Sequence, residues 1–244
     1  MHRIDPSEHR KREERMTQAD GLAVAPGLAA PSRRHQIADW LREQIVKGQL
    51  APGAQLKQDV LAAHLRTSPG PVREALRQLE SEGLVHHIPN RGAFVTAVSA
   101  EELLGVLLPV RLAIESFAIE KASVDPATID QLQELVDLMN AAAERKDLDL
   151  LNELDVSFHE MIVRSARSEH AMQLWASVQP RIRLQIHRLA KRHKTPFAIP
   201  EEHRVLLDSI LHDDPDRRRQ ALDDHIMASA RQLLALERMG AAPT

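Results

Sequence analysis

The sequence of 244 residues contains no cysteine, and that absence removes several kinds of chemistry at once. Disulfide scaffolds, thiolate zinc sites and cysteine nucleophiles are excluded. Any metal must be held by His, Asp or Glu, and 13 histidines are available for the task. No apolar run approaches the ~20 residues that a membrane span needs. Residues 21–31, GLAVAPGLAAP, imitate a signal-peptide core, but they contain Gly and Pro and follow a mixed-charge stretch, so they read better as a flexible linker. No internal repeat is evident. The expectation is a cytoplasmic protein of one large or two small domains.

An overall basic charge is also missing: the net charge is −3. Dividing the chain changes what that number means. Residues 1–34 carry seven Lys/Arg against five Asp/Glu, and residues 35–99 carry seven against six with four histidines. Residues 100–244 carry 18 against 24, so the acidity belongs to the C-terminal part. A near-neutral N-terminal domain can bind DNA if its few cations share one face, because local potential matters more than the total.

What is present reads mainly as helix. Residues 1–34 lack apolar periodicity and read as a disordered, mildly basic tail. A helix is expected from His35 to about Lys47 with Ile37, Leu41 and Ile45 on one stripe, closed by Gly48 and a Pro52-Gly53 turn. A short helix from Gln58 to Leu65 should bury Val60, Leu61 and Leu65. Ser68 is placed to cap a third helix reaching Glu82, with Val72, Leu76 and Leu79 inward and Gly83 just beyond. LVHHI and AFVTAV then read as a hairpin turning at Pro89-Asn90-Arg91-Gly92. After Ser99 helices are expected near 101–122, 126–145, 148–166, 169–193, 201–212 and 215–238. Asp125-Pro126 and Asp214-Pro215 supply starts, and Pro109 should kink the first. The fold class is mainly α: a winged helix-turn-helix over 35–99, then an all-α antiparallel bundle over 100–240.

Three helices and a hairpin in this order place the third helix in the major groove and the hairpin against the backbone or minor groove. Arg73 and Arg77 stand four residues apart, on a face away from the apolar stripe. An Arg near the start of such a helix can bond guanine O6 and N7 together. Arg91 and Gly92 at the hairpin tip suit phosphate or minor-groove contact, with Lys57, Arg66 and Ser68 as further candidates. The same arginines would equally suit a solvated face pairing with Glu74 and Glu80. From Leu41 to Val98, however, the segments GQLAPGAQL, PVREALRQLESEGLV and NRGAFV closely resemble the DNA-binding domain of GntR-type regulators. That family commonly shows Ser-Arg-Thr-Pro-Val-Arg where this chain has Ser68-Pro69-Gly70-Pro71-Val72-Arg73, and Gly where it has Arg66. The resemblance therefore implies the fold but an altered operator preference.

In the second half, Asp155 and His159 lie four residues apart and project from one helix face. His203 falls early in one later helix and His225 midway along another. Helical bundles build metal sites from inward residues of this kind, and one Asp with three neutral imidazoles suits Zn, Ni, Mn or Fe(II). An ordinary helix salt bridge is the competing account of the Asp155/His159 pair. A zincin motif fails, because Val163 stands where a second His is needed. His170, His187, His193 and His212 are expected to be solvated.

Residues 100–238 resemble the FCD effector domain of the FadR-like GntR branch, from Arg111-Leu-Ala-Ile-Glu115 to the His225 helix. The resemblance implies a divalent metal on Asp155, His159, His203 and His225, and a small carboxylate effector held partly by cations. Arg111 is the first candidate cation and Arg183 the second, each with an interhelical salt bridge as its alternative. The leading expectation is a homodimeric, effector-responsive regulator, in the first instance a repressor, on an operator with two-fold symmetry. A metal-dependent enzyme fused to a DNA-binding module is the alternative, although Glu160 points about 100° from His159 and no general base is evident. A purely structural metal is the third.

Overall fold

In the computed structural model, which describes residues 32–121, 126–190, 195–211 and 214–240, helix follows helix except at one small sheet. Helix α1 (Arg33–Val46) buries Ile37, Ala38, Leu41 and Ile45, the expected stripe. It begins two residues before His35. Arg33 donates to the Leu65 carbonyl at 3.0 Å, which ties the first turn of α1 to the end of helix α2 (Gln58–His64). Helix α3 (Pro69–Ser81) buries Val72, Ala75, Leu76 and Leu79 against α1. Arg42 grips Glu82 through two bonds of 2.8 and 2.7 Å, strapping α1 to the end of α3.

The sheet has three strands rather than two. β1 (Gln55–Leu56), β2 (Val85–Ile88) and β3 (Gly92–Val95) are antiparallel in the order β1-β3-β2. A two-residue strand is too short to show an alternating pattern, so β1 leaves no periodic trace. Ile88 pairs with Gly92, which puts Gly92 inside β3 and leaves residues 89–91 as the turn. Val60 corrects a second expectation. It is 58% exposed, because Leu61 and Ala62 already take the inward face of this seven-residue helix. Leu65 is only partly buried.

The remaining helices form the bundle. Helix α4 covers 100–121: a capping box between Ser99 and Glu102 starts it, a π-helical stretch occupies Leu103–Leu107, and α-helix resumes over Leu108–Lys121. The irregularity expected at Pro109 is thus taken up one turn earlier. Pro109 offers no N–H to the Gly105 carbonyl and crowds it, and the wider π register relieves that contact. Then come α5 (Pro126–Glu144), α6 (Leu148–Ser165), α7 (Glu169–Ala190), α8 (Ala198–Ile210) and α9 over 215–240. Asp214 caps α9 through the amides of Asp216 and Arg217, while the expected cap at Asp125 lies outside the described residues. A second π stretch, Asp224–Ala228, interrupts α9.

Helix α6 packs against α4, α5 and α7, so whatever it projects inward lies near the middle of the bundle. Phe158 and Leu151 sit there with Leu132, Met139 and Leu206. Helix α7 serves two cores. Its Trp175 and Ile182 pack within the bundle, whereas Leu184 belongs to the core of the N-terminal domain with Leu41 and Leu76. Beside it the Arg181 side chain lies over Gly83, where a Cβ would come within 3.0 Å of the guanidinium. Gly83 also has φ of +72°, a second reason for glycine after α3. No helix among the described residues is long and apolar enough to cross a membrane.

Candidate metal centre and nucleic-acid interface

The buried face of α6 carries Asp155, Phe158 and His159. Opposite them stand His203 from α8, His225 from the π stretch of α9, and Arg111 and Glu115 from α4. His159, His203 and His225 each bring a ring nitrogen within 4.8 Å of the others. Asp155 completes the group, with oxygens 3.9 Å from His159 Nε2 and 3.5 Å from His203 Nε2. All four residues singled out for a metal are therefore neighbours, although they come from three separate helices. Phe158 stands edge-on to His159 and His203, fixing both ring planes.

The hydrogen bonds determine which ring nitrogens carry protons. His159 Nδ1 lies 2.6 Å from Glu115 Oε2, and a carboxylate accepts, so Nδ1 donates and Nε2 keeps a lone pair. His203 Nδ1 donates to the Ile199 carbonyl at 2.8 Å, so in the neutral ring its Nε2 carries the lone pair. His159 Nε2 accepts from His225 Nε2 at 3.0 Å. His203 Nε2 has no hydrogen-bond partner and faces the carboxylate of Asp155, whose Oδ1 also lacks one. Two electron-rich atoms turned toward each other in a buried site call for a cation between them. Zn, Ni, Mn and Fe(II) all accept this mixture of imidazole and carboxylate.

Burial holds the His159 ring well below its ordinary pKa, with Arg111 adding to the effect, so the ring is neutral as a metal ligand must be. Glu115 is the residue that sequence reasoning passed over. Its side chain is fully enclosed and accepts from Arg111 Nε at 2.7 Å as well as from His159. A carboxylate behind a ligating imidazole orients the ring and raises its basicity. Burial pushes the Glu115 carboxyl up and Arg111 opposes the shift. Glu202 was also missed. Burial and the nearby Asp155 raise it to about 7, against the weak bond from Ser229. The available signal was the recurrence of charged residues in buried stripes, Arg111 and Glu115 between Leu108 and Ala118.

Arg111 lines the small chamber beside the histidines, and its Nη2 is buried without a partner. Arg183 is elsewhere: it pairs with Glu153 at 3.0 Å and does not line that chamber. Glu160 pairs with Arg164 on the outside of α6. His187 is a correction. It is 5% exposed, with its Nδ1 2.9 Å from Asn152, because α7 is covered on two sides at this point. His170 is exposed, and His193 and His212 lie outside the described residues.

On the N-terminal domain, Arg73 and Arg77 project outward from α3, their side chains 53% and 65% exposed and both near Glu74. Glu80 instead meets His87. Lys57, Arg66, Ser68, Arg91 and Gly92 are all exposed. Ser68 occupies the cap position without a side-chain cap bond, since Pro69 and Pro71 offer no amides and the Gly70 amide is not engaged. Arg66 has φ of 50°, a left-handed turn that costs a non-glycine residue about 1 kcal/mol. On the wing, the Arg91 guanidinium lies 5.6 Å from the Phe94 ring, and Gln55 of β1 donates to the Arg91 carbonyl.

A winged helix with an outward arginine pair, joined to a helical bundle enclosing a polar site, defines a DNA-binding transcriptional regulator. Residues 33–95 match the gntR family of bacterial regulatory proteins and residues 106–228 match the FCD domain, and the chain belongs to the GntR family. It is 30% identical over 203 residues to the gluconate operon transcriptional repressor of Bacillus licheniformis, covering 80% of this chain and 82% of that one. The repressor of the same description from Bacillus subtilis is 29% identical, with 84% and 91% covered. The crystal structure of a transcriptional regulator GntR from Rhodococcus sp. RHA1 superposes with a TM-score of 0.72 at 27% identity, covering 84% and 99%. These relatives and both matched domains are those of transcriptional regulators, not enzymes.

The enclosed Arg111–Glu115–His159 chain yields a stability prediction. Glu115→Gln leaves Arg111 buried without its counter-charge and should cost about 3–5 kcal/mol. The double change Arg111→Met with Glu115→Leu removes both charges, and the orphaned His159 N–H should then leave a loss of only about 1–3 kcal/mol. Urea midpoints at constant m measure both. Equal losses in the two variants would show that the pair acts through shape rather than charge.

Proposed function

We propose that this protein is a homodimeric transcriptional repressor in the bacterial cytoplasm whose grip on a two-fold-symmetric DNA operator is released by a small carboxylate. In this reading Asp155, His159, His203 and His225 hold a divalent transition metal, and the effector's carboxylate binds beside it near Arg111. The observation that carries the reading is the facing of His203 Nε2 and Asp155 across 3.5 Å without a hydrogen bond to His203 Nε2, next to the partnerless Arg111 Nη2. Such a group has places for one cation and for one anion. The metal, when bound, supplies a Lewis-acidic position for an anionic oxygen. The two relatives attached by name to a gluconate operon favour a sugar acid as the effector class.

DNA recognition is assigned to α3, with Arg73 reading a base and Arg77, Arg91, Lys57 and Arg66 holding phosphates around it. Ser68 and Gly92 bring backbone close to the duplex at the helix start and wing tip. One such helix contacts too few base pairs to select a site, so two copies are needed. The outer face of α4 suits that pairing: Val106 and Phe117 are 56% and 43% exposed, and Val110 and Ala113 fall between them at heptad spacing. Coupling has a short physical path. Leu184 packs in the N-terminal core, while Ile186, Leu189 and Ala190 of the same helix wall the chamber beside the metal ligands. An effector that shifts the end of α7 therefore disturbs the seat of the DNA-binding domain, and coupling of about 1–3 kcal/mol is the usual scale.

Three measurements test this reading. On an operator selected from random DNA, Arg73→Ala should cost about 1–3 kcal/mol per half-site and relax discrimination at one base. Arg91→Ala should weaken all sequences alike and flatten the salt dependence. Unchanged affinity after Arg73→Ala would remove α3 as the reading helix. Elemental analysis should find close to one divalent ion per chain, and His159→Ala or His203→Ala should lower both occupancy and Tm. Protein that carries no metal and gains no stability from Zn, Ni or Mn would overturn the metal centre. Finally, Val110→Asp combined with Phe117→Asp should yield a folded monomer by sedimentation with most operator affinity lost. A dimer surviving that change would relocate the interface.

A further inference from the structure

Five glycines lie in the N-terminal domain, and four of them, Gly48, Gly53, Gly83 and Gly92, have a positive φ that asks for glycine. Gly70 is the exception. It sits in the first turn of α3 without a positive φ, and a Cβ added there would meet nothing within 4 Å among the described residues. Neither conformation nor packing within the chain calls for glycine here, and glycine is a poor helix former. A side chain that is missing without need of the fold makes room for something that approaches the backbone from outside.

The direction of approach follows from the helix. At 100° per residue, Gly70, Arg73 and Arg77 fall in one sector of α3, opposite the buried Val72, Ala75, Leu76 and Leu79. Gly70 is thus the bare end of the face that carries the two arginines. Prolines flank it, Pro69 exposed and Pro71 half-buried. Residues 69–71 therefore present no hydrogen-bonding side chain, and two of their three backbone positions have no N–H. The remaining amide, that of Gly70, points back along the helix axis and is not taken by Ser68. Nothing on the outward side of this turn can satisfy a donor or acceptor on the edge of a base.

In the major groove guanine, adenine and cytosine present hydrogen-bonding groups, whereas thymine adds a C5-methyl group. A donor or acceptor pressed against Pro69 and Gly70 gives up water and finds no partner, but a methyl group leaves water favourably. We infer that the first turn of α3 selects thymine. The C5-methyl group packs on the Pro69 ring and the bare Cα of Gly70, beside the base pair that Arg73 reads. The inference rests on α3 being the reading helix, and Arg73→Ala separates the two.

Binding of the full-length protein to an operator selected from random DNA tests the assignment. Each selected half-site should hold a fixed thymine next to the base pair whose discrimination Arg73→Ala relaxes. Replacing that thymine with deoxyuridine removes the methyl group and keeps every hydrogen-bonding atom. The change should weaken binding about fourfold in one half-site, the worth of one buried methyl group, and about fifteenfold in both. Pro69→Ser should bring the ratio of the two affinities toward one. Gly70→Leu, for which the fold has room, should keep its Tm while losing most operator affinity. A half-site without a fixed thymine, a parent protein indifferent to deoxyuridine, a ratio unmoved by Pro69→Ser, or Gly70→Leu binding as tightly as the parent would each overturn the thymine contact and leave α3 in the groove. Unchanged affinity after Arg73→Ala would overturn α3 as the reading helix, and the contact with it.

Discussion

A single enclosed carboxylate organises the middle of this molecule. Glu115 is inaccessible to water and accepts simultaneously from Arg111, one turn earlier on its own helix, and from His159 on another. Burying one charge in a helical core is costly, and the cost is offset only if every lone pair is used. Satisfying Glu115 has consequences outward. It fixes the proton on His159 Nδ1, which turns the other ring nitrogen toward His225, and it aims the remaining arm of Arg111 into the chamber. Charge placement, ring orientation and the aim of the Arg111 guanidinium thus follow from one residue.

Backbone irregularity is the second constraint. Both long helices that flank the site depart from α-helical register, at Leu103–Leu107 and at Asp224–Ala228. The first answers a proline. The second has no proline nearby, and it carries His225. A π turn widens the helix and redirects the side chains on it, so the departure is paid for by what it positions. The same logic applies at Arg66, where a left-handed turn is tolerated by a residue ill-suited to it, on the exposed surface proposed above to contact DNA.

Much of this was legible from residue order because it rests on periodicity. Stripes such as Ile37/Leu41/Ile45 and Val72/Leu76/Leu79 mark helices that bury one face, and the spacing of Asp155 and His159 put both on one face of α6, while their inward placement with His203 and His225 was what the resemblance to the FCD domain implied. What escaped was set by contacts distant in sequence. β1 is two residues long and exists only because β3 pairs with it. Glu115 lies 44 residues before the histidine it orients. Val60 was misjudged by one residue's rotation on a helix too short to average the error. His187 is covered because a second domain packs on α7, and no local pattern announces that. Arg183 meets Glu153 on α6, the interhelical salt bridge that stood as its alternative, although the residue sequence did not name the partner.

Leu184 bears on how such proteins can be assembled by recombination. A regulator made of a DNA reader and a sensor invites the exchange of one half for another. Here the reader's core is closed by a side chain borrowed from the sensor, nearly a hundred residues further along the chain. A transplanted reader would arrive with a leucine-sized gap, and gaps of that kind cost several kcal/mol when the walls cannot collapse. The two halves can be exchanged freely only between chains that keep an apolar residue at this place on α7, so a chimaera has to carry that residue along with its reader.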